Sequence, residues 1–166
     1  MFEGYYEYPP DMRTRVVCSE KQSKITFLNN KPFFVAQVRI DGGVIDDPNI
    51  TKCDFLVLCE DKKPAKGEKN ITNPKFAIFI ELKGTDVLHA ITQIEKTIEH
   101  DAIKLDIATC KLIFAYVVLV NRAPSIETKI QKEIARLVRQ KKCLLEVINS
   151  NKERNLQDIL EILERK

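Results

Sequence analysis

The sequence predicts an α/β fold: a mixed central sheet, in which an antiparallel three-strand meander is followed by parallel strands, with helices on both faces. Three observations support it. Apolar runs at residues 33–40, 53–59 and 76–82 follow one another without an intervening helical pattern. A nearly pure hydrophobic run at residues 112–120 suits a strand deep in a sheet. The segments on either side of that run repeat their apolar residues at helical spacing, so strand and helix alternate through the second half.

The 166 residues suit one domain with a single sizeable core. Apolar residues make up 44% and charged residues 31%, an ordinary folded mixture rather than a disordered one. A net charge of +3 permits a local basic patch but makes no general demand for a polyanionic partner. The five cysteines are odd in number and form no C-x-x-C pair, which points to free core thiols in a reducing cytoplasm rather than disulfides or zinc ligands. No basic stretch followed by an apolar one opens the chain, and the longest apolar run is too short for a bilayer, so no membrane partner is expected.

Taken in order, residues 1–12 hold Phe2, Tyr5, Tyr6 and Tyr8, an aromatic arm expected to pack its rings on the domain. Residues 13–25 make a poor amphipathic helix. The first strand, residues 33–40, ends in the turn signal Asp41-Gly42-Gly43. The second, residues 53–59, is apolar on both faces and so central. A charged connection with Pro64, Gly67 and Pro74 leads to the third strand at 76–82. Gly84 releases that strand, and Thr85 caps a helix over 86–103 whose Val87, Ile91, Ile94 and Ile98 share a face. Strand 112–120 then returns parallel to 76–82 through a crossover. Ser125 caps a second helix running to residue 140, a strand follows at 143–148, and a short helix at 155–164 closes the chain.

Side chains of a strand alternate faces, so Glu81 and Lys83 point the same way. If strands 53–59 and 76–82 pair antiparallel, Asp54 at the start of one lies beside Glu81 at the end of the other. Two carboxylates and an ammonium so placed can hold a hard divalent cation and steer an attacking water, which is phosphodiesterase chemistry.

Asp54 opening one strand, Glu81-Leu82-Lys83 closing the next, a helix carrying Gln93 and then a buried strand: this order resembles the PD-(D/E)xK nuclease superfamily, which includes restriction endonucleases and archaeal Holliday-junction resolvases. The resemblance covers residues 33–120 and implies a restriction-endonuclease-like fold. It implies that Asp54 and Glu81 ligate Mg2+, for which Mn2+ can substitute, and that the backbone carbonyl of Leu82 adds a ligand. Lys83 takes the place of the lysine that orients or deprotonates the attacking water, and Gln93 that of a glutamine several branches carry on the next helix. His89, Gln93 and Lys96 lie three or four residues apart on one helix face, within reach of the site or of a phosphate. Two departures stand out. Cys53 occupies the position of the proline that names the motif. The further acid that many members carry upstream has two candidates, Glu20 and Asp41.

Phosphate contacts are sought in the connecting loop, at Lys62, Lys63 and Lys66, and near the end of the second helix, at Arg136, Arg139, Lys141 and Lys142. The resemblance thus implies a magnesium-dependent endonuclease acting on nucleic acid, DNA foremost, and leaving a 5′-phosphate. A homodimer or a protein partner is expected, since one small domain cuts one strand. The alternative is the same fold without catalysis, as a nucleic-acid-binding or assembly module.

Overall fold

Strands that are apolar on both faces need cover on both sides, and that demand sets the layering. The computed structural model describes residues 2–61, 65, 67, 69–83, 85–110, 112–120 and 128–165, the side chains of Lys83, Leu163 and Glu164 excepted. Its elements are β1 (Tyr6–Asp11), β2 (Arg15–Glu20), β3 (Ser23–Leu28), β4 (Phe34–Arg39), β5 (Phe55–Glu60), β6 (Phe76–Lys83), α1 (Val87–Glu99), α2 (Asp101–Lys104), β7 (Leu112–Leu119), α3 (Thr128–Lys141), β8 (Cys143–Asn149), β9 (Lys152–Asn155) and α4 (Leu156–Glu164). Among the described residues, six strands form one sheet in the order β1-β4-β5-β6-β7-β8, and three form a second in the order β2-β3-β9. The meander β4-β5-β6 is antiparallel, whereas β6-β7 and β7-β8 are parallel. The chain is a mixed α/β protein.

One face of the large sheet presents Phe34, Ala36, Leu56, Leu58, Phe79 and Val117 to Ile91 and Ile94 of α1 and to Ile130 and Leu137 of α3. The other face presents Val35, Val57, Ile78 and Tyr116 to Val16, Cys18, Ile25 and Phe27 of the small sheet and to Leu156 and Ile159 of α4. Helices do lie on both faces, but the second is covered largely by the hairpin β2–β3, which sequence reasoning missed. Residues 13–25 fail as a helix because their period is two: Val16 and Cys18 are buried, while Arg15, Val17 and Ser19 face out.

Much of the aromatic arm is a strand, Tyr6–Asp11. β1 pairs antiparallel with β4 at the sheet edge. Phe2 is buried and Tyr6 partly so, but Tyr5 and Tyr8 are exposed, so only half the expected rings pack. The helix expected over 86–103 ends at Glu99, because His100 turns extended and its Nδ1 accepts the Ala102 N–H to start α2. Its N-cap is Asp86, not Thr85: the Asp86 carboxylate accepts the His89 N–H at 3.0 Å. The Ser125 cap lies outside the described residues. All five cysteines are free, four of them buried and Cys110 half-buried. Among the described residues, no helix is long and apolar enough to cross a membrane.

Two of the cations expected to meet phosphate are spent inside the fold. Arg136 of α3 grips Glu95 of α1 through both terminal nitrogens, at 2.6 and 2.7 Å, and Lys141 pairs with Glu99. They stitch the two helices together, since α3 approaches α1 with its basic last turns against acids of the neighbour.

Asn29, almost fully buried, ties three segments. Its Nδ2 donates to the carbonyls of Arg13 (2.8 Å) and Phe33 (2.9 Å), and its Oδ1 accepts the Phe33 N–H (2.8 Å). Replacing it by alanine strands these buried backbone groups. Asn29→Ala is therefore expected to cost about 3 kcal/mol, seen as a lower urea midpoint with unchanged slope.

Candidate active site

β5 and β6 pair so that Phe55 opposes Ile80, which brings Asp54, one residue before β5, beside Glu81. The backbone continues the ladder there: Asp54 N–H donates to Ile80 O at 3.2 Å, and its own carbonyl accepts from Ile40 N–H at 2.9 Å. The Asp54 side chain takes up what the ladder leaves over, its Oδ2 accepting the Leu82 N–H at 2.6 Å. A residue's N–H and C=O leave an extended strand on the same side, so the Leu82 carbonyl also opens toward Asp54. Glu81 is buried, only 1% exposed.

Helix α1 fixes the approach to Asp54 from behind. Gln93 Nε2 donates to Lys52 O at 2.8 Å, and one turn on, Thr97 Oγ1 accepts the Cys53 N–H at 2.8 Å while donating to Gln93 O. Two consecutive residues before the acid are thus pinned to two consecutive turns of the helix. Gln93, expected at the chemistry, acts through one end as a backbone brace. Its Oε1 is buried with no hydrogen-bond partner among the described residues. Thr97 was missed, although it stands four residues after Gln93 on the same stripe.

A cavity of about 490 Å³ opens at this end of the sheet, lined by Glu20, Lys21, Gln22, Ser23, Asp41, Asp54, Glu81, Leu82, Gln93 and Val120. Both candidates for the upstream acid line it. Asp41 is committed to Lys52, whose ammonium lies 3.1 Å from its Oδ1 and also donates to Asp47 O at 2.7 Å. Its turn is built on glycine: a Cβ on Gly43 would stand 2.3 Å from Arg39 O. Glu20, at the end of β2, lines the cavity with Asp54 and helps to push the Asp54 carboxyl up. It reaches the site from a β-hairpin and not from a helix.

The other expected residues divide. His89 lines an adjoining cavity of about 330 Å³ that shares Asp41 and Gln93 with the first. Lys96 is exposed and lines neither. Lys83 ends β6 opposite Leu119 of β7, and its side chain lies outside the described residues, as do Lys62, Lys63 and Lys66.

Burial pushes the Asp54 carboxyl up to about 8, and the Glu81 and Glu20 charges push the same way while the Leu82 N–H opposes them. Beside Glu81, Asp54 therefore holds a proton more readily than an ordinary carboxyl does. Among the described residues, no three His, Cys, Asp or Glu side chains converge closely enough to cage a metal ion unaided. The donor set still fits Mg2+, which takes oxygen ligands, keeps several waters and needs only one or two carboxylates. A divalent cation would relieve the crowding of the two carboxyls.

Compared with models of protein families, with curated proteins and with solved structures, the chain matches none.

A raised carboxyl stabilises the fold below the ordinary carboxylate range of about 4 and loses that contribution as pH climbs to its folded value. Without added metal, the melting temperature is expected to fall between pH 4 and about 8 on account of Asp54. Asp54→Asn keeps an acceptor for the Leu82 N–H and should flatten this slope. A thermal-melt series across pH, comparing the two proteins, checks it.

Proposed function

We propose that the chain is a Mg2+-dependent nuclease of the PD-(D/E)xK type, with a restriction-endonuclease-like fold, cutting phosphodiester bonds in DNA. The observation that carries this reading is the meeting of Asp54, Glu81 and Glu20, from three separate segments, in one cavity at the carboxyl end of β6. Ligands of open α/β sheets gather at such strand ends. The strand order, an antiparallel meander continued by parallel β7 and β8, supports the same assignment.

On this reading Asp54 and Glu81 would hold the ion together with the Leu82 carbonyl, and Glu20 lines the cavity beside them. Bound there, the ion acidifies a water and offsets the charge that builds on the phosphate (Mn2+ serves as well). Lys83 follows Glu81 on β6, in the motif position that handles the proton of the attacking water. Gln93 and Thr97 keep the peptide before Asp54 from moving, which keeps its carboxylate in register with Glu81. Scission leaves a 5′-phosphate. A homodimer or a protein partner brings a second site for the second strand, and the reduced state of the cysteines fits a cytoplasmic setting.

Incubating plasmid, linear, single-stranded and branched DNA, and RNA, with Mg2+ or Mn2+ against EDTA tests the proposal. Metal-dependent cutting is expected, reduced at least ~10²-fold in folded Glu81→Ala and Lys83→Ala. Retained DNA binding without cutting would replace this reading with that of a non-catalytic binding module. Thr97→Val should lower the cleavage rate by about tenfold or more with little change in DNA affinity, because it loosens Asp54 without touching substrate.

A further inference from the structure

The hairpin β2–β3 turns through Lys21 and Gln22 alone, since Glu20 and Ser23 are its last pair in register. Lys21 has φ +51°, a left-handed conformation that two-residue hairpin loops normally give to Gly, Asn or Asp. The lysine is exposed, so packing does not account for it. What it does share is the cavity: four consecutive residues, Glu20, Lys21, Gln22 and Ser23, line the space that holds Asp54 and Glu81.

This tip is held in place. Ser150 Oγ accepts the Lys24 N–H at 2.9 Å and donates to Gln22 O at 3.2 Å. Asn151 N–H donates to Lys24 O, and Ser150 N–H donates to Leu119 O, both at 2.7 Å. The return strand of the hairpin is thereby latched to the carboxyl end of β7, beside the end of β6.

Charge decides what the tip can offer. Among the described residues lining the cavity, Glu20, Asp41, Asp54 and Glu81 are acids and Lys21 is the one cation. Nearby cations are committed elsewhere: Arg39 to Glu7, and Lys52 to Asp41 and backbone carbonyls. A polyanion entering among these acids needs a positive contact, and an ammonium on a flexible stem is a point charge suited to a phosphate oxygen.

We propose that the β2–β3 tip is a fixed substrate clamp, in which Lys21 binds a backbone phosphate of the nucleic-acid strand occupying the cavity. This rests on the nuclease reading above. The residue is placed where glycine would fit the backbone better, because glycine carries no charge.

The test is fluorescence anisotropy with a labelled DNA duplex and a labelled single strand, in calcium, over a salt series, on the wild type, Lys21→Gly, Lys21→Asn and Lys21→Arg. Lys21→Gly and Lys21→Asn relieve the turn, so their melting temperatures should equal or exceed that of the wild type. Their binding should weaken about five- to tenfold at 0.1 M salt, and the slope of log affinity against log salt should shrink by about one. Lys21→Arg should keep the wild-type slope. Unchanged affinity and slope in Lys21→Gly and Lys21→Asn would overturn the clamp alone and leave the nuclease reading standing. Absence of any salt-dependent binding by the wild type would overturn both.

Discussion

Two carboxyl groups buried side by side, Asp54 and Glu81, are the constraint around which the rest is arranged. Taking a carboxylate out of water is costly, and a second one nearby raises the cost further. The protein meets it locally: Leu82 N–H binds Asp54, and burial beside Glu81 holds the Asp54 carboxyl above the ordinary carboxylate range. A fold selected only for stability would put apolar side chains at the end of so apolar a sheet. Keeping acids there, and bracing them, is what the proposed metal-binding role would require.

The bracing explains why the sequence could be followed to this point. Asp54 and Glu81 were legible because antiparallel pairing follows from two adjacent apolar runs, and strand alternation then dictates which side chains meet. The helix behind them was legible from Val87, Ile91, Ile94 and Ile98, which are buried in α1. Its true end was not, because His100 leaves the helix through its own side chain, a local bond that periodicity does not encode. The role of Thr97 was hidden for a similar reason: one hydroxyl serves two backbone groups, and nothing in a hydrophobic pattern marks it.

The hairpin shows the opposite failure. Its alternation is present in Val16 and Cys18 and again in Ile25 and Phe27, but two such short half-buried runs are a weaker signal than the continuous apolar strands of the large sheet. The turn gave no help, since Lys21-Gln22 is not a pair that marks a tight turn. Breaking a local rule without a packing reason is itself informative, for such places concentrate at functional sites. Likewise, Arg136 and Lys141 looked free for phosphate from their position near a helix end. Only the approach of α1 shows them bound to Glu95 and Glu99. Charge read along a chain does not distinguish a solvated cation from one held by a neighbouring element.

On the proposed reading, cation and substrate cannot bind independently. The described lining of the cavity carries four acids against Lys21, and a phosphate entering it meets net repulsion. An ion on Asp54 and Glu81 would reverse that sign where the phosphate must sit, and it would compete with protons for the raised Asp54 carboxyl. Metal affinity should therefore depend on pH, and nucleic-acid affinity on metal. Linkage makes the coupling mutual, so a bound polyanion tightens the ion as much as the ion tightens the polyanion. A site that excludes its substrate until the ion is present keeps an idle enzyme off DNA. On that reading the buried carboxyl pair, costly to the fold, would supply that control.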